Sequence, residues 1–401
     1  MKVQSGYEKV GPMAASRVVA QIAIAALLTT FLLIAIPGMA SAEEQFTPVY
    51  AEPVAPARPV IATDGKKHLA YELVLTNYSK SPVTIKKINR FAGKRALAPV
   101  TGSALKDMMN PYGSATHTNV LQGGQSGYIL LDLKFRPRAK LPARISHQFV
   151  VEATDGPLKY ASRFRSGAVW VVDRPAIQVR PPLRGSGWIA ANGCCTEFTS
   201  HRGAVLPVNG KLHNSERFAI DFMRIQPNGK MVTGPWEDLS SYPFFGDPIV
   251  SATSGKVVRV VRHIPETQPT GELPPATAAT SGGNYIVVRK AKGVFAFYAH
   301  MQPKSARVKI GQKVRPGQVL GLLGNTGNSN APHLHFHMMD GPDPLASNGL
   351  PYTFTRFGVE GRLLNFGDLF EGAPAEVNSQ HAGIHNRQLP LNLEVIDFPN
   401  R

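Results

Sequence analysis

A chain of 401 residues with 43% hydrophobic and 18% charged residues belongs to a folded protein and is long enough for two or three domains. Lys and Arg (44) outnumber Asp and Glu (27), and the resulting net charge of +17 favours anionic partners. Two cysteines exclude a four-cysteine zinc site, and no zinc-finger or RNA-recognition signature or dense Lys/Arg run points to nucleic acid.

The chain opens with Lys2, Lys9 and Arg17, an apolar run over 18–36 with Gln21 as its one strongly polar side chain, and Ala40-Ser41-Ala42 before Glu43. This is the layout of a secretory signal peptide over 1–42 with a small-residue cleavage site. The run is also long enough to act as an uncleaved N-terminal membrane anchor. Either way the bulk of the chain is expected outside the cytoplasmic membrane: secreted, periplasmic or held at the cell envelope. There, anionic envelope polymers or lipid headgroups suit the charge.

Residues 43–60 repeat Pro and Ala and read as a linker. From 61 to 172 short β-rich runs (69–76, 83–88, 127–135, 147–154) alternate with turn signals such as Asn77-Tyr78-Ser79-Lys80-Ser81-Pro82, which predicts a β-sandwich. Leu73-x-Leu75 followed by Asn77 resembles the early strands of bacterial immunoglobulin-like modules. Residues 43–170 carry no catalytic set, so they are expected to be dispensable for cutting a short peptide and to alter only binding to intact walls. A Pro/Arg segment over 173–190 reads as a second linker.

Cys194 and Cys195 are adjacent, so a disulfide between them would lock a local turn; the alternative is two buried thiols. Strands are predicted over 218–225, 255–261, 285–289, 294–298, 319–323 and 333–338, with a long surface loop over 266–283 and an accessory wrap over 346–401. Alternate side chains of a strand share a face, so His333 and His335 point one way and Leu334 and Phe336 the other, into a core. His337 shares the His335 face and is expected at the rim. By the same alternation Asp221 points away from the core side of Phe218 and Ile220. His300 closes the run Phe297-Tyr298-Ala299-His300. His147 and His263 lie outside every motif.

The set formed by Arg217-Phe218-Ala219-Ile220-Asp221, by Phe297–His300 and by Val308-x-Ile310-Gly311-Gln312-x-Val314, Gly317-Gln318-Val319-Leu320-Gly321, Gly324-Asn325-Thr326-Gly327-Asn328-Ser329 and Pro332-His333-Leu334-His335-Phe336 resembles the lysostaphin-like zinc metallopeptidases. These enzymes cut peptide cross-links of bacterial cell walls, and the resemblance covers roughly residues 196–345. It implies an all-β chain, with an immunoglobulin-like sandwich followed by an antiparallel β-sheet peptidase domain over 191–345. It implies Zn²⁺ as cofactor, Asp221 and His335 as zinc ligands, and His300 and His333 as unligated catalytic histidines. The substrate would be peptidoglycan peptides or another envelope polymer, with no nucleic acid, and with a membrane contact only through an uncleaved leader.

One position departs from the pattern. The family has a ligating histidine four residues before the Asp, and here that residue is Arg217, which stays protonated and cannot ligate. Glu216, Glu237 and Asp238 are its expected partners. The missing ligand would come from upstream, from His201 or from His213. A straight strand would hold His213 roughly 26 Å from Asp221, so it reaches the site only if the chain reverses. If neither histidine reached it, the domain would instead be a catalytically inactive wall-binding or regulatory module.

Overall fold

A computed structural model describes residues 44–154, 156–269, 273 and 275–400; the leader expected over 1–42 lies outside these residues. Gln45–Arg401 forms one compact unit. Its architecture is all-β. Among the described residues the regular non-strand pieces are the six-residue helix Gly102–Asp107 and two short 3₁₀ turns. Among the described residues no helix is long and apolar enough to cross a membrane.

The first region pairs two five-stranded sheets. In one, Lys67–Asn77 and Ser126–Phe135 run antiparallel over ten paired positions at the centre. In the other, Val83–Ala92 lies between Arg144–Ala153 and Arg95–Thr101. Strand alternation sends Leu69, Tyr71, Leu73 and Leu75 inward with Ile129, Leu131 and Leu133, where they meet Ile85, Ile88, Phe149 and Val151 of the second sheet in one core. Each such side chain contributes about 1.5–3 kcal/mol of burial.

The opposite face of these central strands is also buried, because the second region packs on it. Ala70 joins the second region's core, and Tyr128 and Leu130 pack with Val205, Phe198 and Leu212.

That second region is built on an eleven-stranded antiparallel sheet. Its central order is Asn284–Ala291, Val294–Met301, Leu334–Met339, Ile220–Arg224, Gly185–Ala191, Glu394–Phe398 and Phe357–Arg362. Leu334, Phe336, Met338, Ile220 and Phe222 face a core shared with Trp188, Tyr298, Phe354 and Phe398.

Three spans expected as linkers or appendage are part of the sheets. Val49–Pro53 and Arg58–Ile61 both pair with Lys67–Asn77. Gly185–Ala191 sits mid-sheet, and Glu394–Phe398 pairs with it while Phe357–Arg362 pairs in turn with Glu394–Phe398. Pro and Arg content masked these strands, because ladder pairing with distant partners overrides weak local propensity.

Arg217 is corrected here as well. Its guanidinium pairs with Glu72 of the Lys67–Asn77 strand (Nε to Oε1 2.8 Å and to Oε2 2.9 Å, with Nη2 also on Oε2), and both side chains are buried. None of the three expected carboxylates takes part, since the facing strand supplies one from 145 residues away. Glu72→Ala strands a buried guanidinium and should cost about 3–5 kcal/mol in urea unfolding, most of it recovered in the double variant E72L/R217M. Equal stability of Glu72→Ala and the parent would show that this pair carries no weight.

Candidate metal centre and cleft

The site grows from sheet register. Asp221 on Ile220–Arg224 stands directly opposite His335 on Leu334–Met339. The residues flanking this pair across the sheet are Ala191 and Ala299. Cβ atoms of directly opposed residues lie about 4.5–5.5 Å apart, so carboxylate and imidazole meet, and the small alanines leave room above them. His335 Nδ1 lies 3.0 Å from Asp221 Oδ1.

His201 arrives from the loop after Gly185–Ala191, and its Nε2 is 3.2 Å from Asp221 Oδ2. One ligand atom each from His201, Asp221 and His335 falls within 4.8 Å of the other two. His213 is not in this group. It ends a hairpin, Leu206–Val208 with Lys211–His213, closed by Asn209-Gly210 with both residues at positive φ, and that local pairing keeps it away.

The His201 loop is held from several sides. Thr199 Oγ1 donates to Asn192 O (3.0 Å) and accepts from Arg202 N (3.2 Å). The fully buried Arg202 guanidinium donates to Cys195 O and, in the first region, to Leu131 O (3.2 Å). Tyr128 of the same region donates to Gly203 O (2.8 Å), and its ring stacks on Phe198. Cys194 and Cys195 form a disulfide. The first region therefore braces the loop that carries His201. Its removal would bare Arg202 and Arg217 together.

His333 Nε2 lies 3.4 Å from Asp221 Oδ1, and its Nδ1 is 2.8 Å from Ala331 O. A carbonyl only accepts, so Nδ1 carries a hydrogen, and Nε2 faces the Asp221 carboxylate. His300 follows the same rule, with Nδ1 donating to Thr326 O (2.7 Å). Simple alternation would put His300 on the core face with Tyr298. A register shift in the neighbouring pairing and a left-handed φ of 61° at His300 re-aim its ring, which lies 4.5 Å from that of His333.

His337 is fully buried, not at the rim. Phe297 of the adjacent strand covers it at a ring separation of 5.0 Å, and its Nδ1 lies 2.9 Å from His335 Nε2. That contact orients His335 with Nδ1 toward Asp221. Asn192 does the same for the carboxylate, donating Nδ2 to Asp221 Oδ2 (2.8 Å). The shared face of His335 and His337 was a usable signal for the first of these; nothing local signalled Asn192, Arg202 or Tyr128.

Electrostatics follow from this packing. Burial opposes the charged form of His201, but the Asp221 carboxylate overcomes it and raises the imidazole to about 9. Burial would likewise raise Asp221, yet His201 and His333 hold it well below the usual carboxylate range. Burial, then the neighbouring His333 and His335, push His300 well below the ordinary imidazole value. Two imidazoles and a carboxylate converging on one point are a donor set that zinc accepts, and a metal would compete with protons for the same atoms. The group floors a cleft of about 270 Å³ that His300, His333, Ser281, Asn328 and Leu345 also line.

Residues 241–347 match Peptidase family M23. That stretch includes His300, His333 and His335 and stops short of His201 and Asp221. The peptidoglycan DD-endopeptidase ShyA of Vibrio cholerae is 32% identical over 133 residues, 33% of this chain and 26% of that protein. Lysostaphin of Staphylococcus simulans is 34% identical over 95 residues, 23% of this chain and 16% of that one. The cell division protein DipM of Caulobacter vibrioides is 32% identical over 97 residues, 24% and 13% of the two chains. The chain thus spans about a quarter or less of the length of these relatives. The solved catalytic domain of lysostaphin from Staphylococcus simulans aligns at 23% identity over 41% of this chain and 88% of that one, with a TM-score of 0.23. By its match over 241–347, this chain carries a domain of Peptidase family M23.

Proposed function

We propose that this protein is an exported zinc metalloendopeptidase that hydrolyses amide bonds in peptidoglycan cross-link peptides. The observation that carries the reading is the convergence of His201 and His335 on Asp221, with His300 and His333 at the same cleft floor. His201, Asp221 and His335 would hold the metal. Zinc in such a set supplies Lewis acidity, activating water and polarising the scissile carbonyl.

The protein's own groups do the rest. Asp221 collects the imidazoles, with Asn192 holding its second oxygen. His337 sets the orientation of His335. His300 and His333, each anchored through Nδ1 to a backbone carbonyl at the cleft, would orient the attacking water, take its proton and return it to the leaving amine. In this reading the working unit is larger than 191–345, because the first region braces the His201 loop. Export rests on the basic lead, apolar run and Ala-x-Ala pattern of residues 1–42.

Purified protein loaded with one equivalent of zinc should release soluble muropeptides and new amino termini from isolated peptidoglycan. A chelator should abolish the release and added zinc restore it. Protein that holds zinc and releases nothing from peptidoglycan or from cross-linked muropeptides would sink the proposal.

A further inference from the structure

Among the described residues the cleft lining lacks the Lys and Arg side chains that give the chain its positive charge. The sequence carries 44 Lys and Arg against 27 Asp and Glu, yet no Lys or Arg is among the described residues that line the cleft. Its acidic lining residues are Asp221, which is taken up by the imidazoles, and Glu216. Glu216 lies in the turn ahead of the Ile220–Arg224 strand, where its backbone carbonyl accepts from Ala219 N (2.8 Å) and fixes the residue in place. Its side chain is half-buried and makes no hydrogen bond or ion pair among the described residues. The adjacent cation that sequence offered it, Arg217, is committed to Glu72 on the far side of the turn. It lines the cleft together with His201 and Asp221.

A half-buried carboxylate that makes no hydrogen bond or ion pair can accept from an incoming donor. A cleft built to read a carboxylate would offer Arg or Lys, and this one does not. We propose that Glu216 is a specificity residue that receives a protonated primary amine of the substrate, carried on a side chain next to the scissile bond. The inference rests on the peptidase reading and narrows its substrate class to amine-bearing peptides. Ser281, Asn328 and Leu345, also on the cleft lining, are neutral, so nothing else there competes for the ammonium group. One charge-assisted hydrogen bond of this kind discriminates by about tenfold or more.

The test uses the zinc-loaded full chain and two pairs of synthetic peptides. In each pair the peptides are identical except that a lysine-type side-chain amine is free or acetylated; one pair carries it before the scissile bond, the other after. The parent protein should favour the free amine by about tenfold in kcat/KM in one pair, mainly through KM, and the preference should shrink in high salt. In Glu216→Gln the ratio within that pair should fall to near one while bound zinc stays at one equivalent. Absence of preference in both pairs, a preference that survives Glu216→Gln, an equal loss on both members of a pair, or loss of zinc in the variant would each overturn the proposal. If the parent cuts none of the four peptides, the peptidase reading fails on them. Calorimetric binding then decides about Glu216: tighter binding of the amine form that vanishes in Glu216→Gln supports the subsite, and equal binding of both forms removes it.

Discussion

Asp221→Ala and His335→Ala should each leave the protein unable to retain zinc through dialysis. Asp221 is the sole carboxylate of the converging group, with His201 Nε2 at 3.2 Å on one oxygen and His335 Nδ1 at 3.0 Å on the other. A three-residue zinc site that loses one ligand keeps two contacts, and loss of the carboxylate also removes the anion that offsets the metal's charge. The fall in affinity should exceed the roughly 10–100-fold typical of an orienting partner. Asn192→Ala and His337→Phe, which touch Asp221 and His335 from behind, should show that smaller loss and provide the internal scale. His201→Ala should behave like Asp221→Ala, whereas His213→Ala should bind zinc as the parent does. Competition against a chromophoric chelator measures all of these. Full zinc affinity in the Asp221, His335 or His201 variant would remove that residue from the site.

The second large effect separates metal holding from chemistry. His300→Ala and His333→Ala should keep one equivalent of zinc and lose peptide hydrolysis by about 10²–10⁴-fold, the range for a positioned proton-transfer group. Both rings are buried, both are pinned through Nδ1 to a backbone carbonyl, and both residues line the cleft. His300 also occupies a left-handed backbone conformation, which costs a non-glycine residue about 1–3 kcal/mol, a cost that alanine at this position would share. Its replacement by alanine should therefore disturb folding little while disabling turnover. His333 is the sharper case, since its Nε2 is only 3.4 Å from Asp221 Oδ1. If the His333 variant loses its metal, His333 is a ligand and the proposed division of roles is wrong.

Glu72 and Arg202 bear on how the two regions relate. Buried cations of the second region find their acceptors in the first: Arg217 on Glu72, and Arg202 on Leu131 O. An isolated buried guanidinium is far more costly than a paired one, so the two regions cohere. A histidine at position 217 would need no such partner. The sequence departs from the family pattern at that position, and the structure shows an inter-region ion pair there and an imidazole delivered by the braced upstream loop.

Strand alternation by itself determined a good deal of this protein. The two-residue period put His333 and His335 on one face and Leu334 and Phe336 on the other, and it turned Asp221 away from Ile220; local backbone geometry dictates such relations, so a short window of sequence carries them. The motif around residues 308–336 likewise identified the peptidase segment that the family match bears out. Other features depended on partners far away in the chain. Short strands such as Arg58–Ile61 and Glu394–Phe398 exist because distant strands pair with them. The choice of His201 over His213 follows from contacts of its loop with Tyr128 and Leu131, and the direction of His300 from a bulge against the neighbouring strand. Arg217 was legible as a misfit but not as half of a pair, since Glu72 lies 145 residues away. Periodicity is a local property of the chain, whereas loop placement, bulges and buried ion pairs are settled only when the sheets close on one another. That is why the faces of the site were readable in advance, whereas the placement of His201 beside Asp221 and His335 was decided by the tertiary fold.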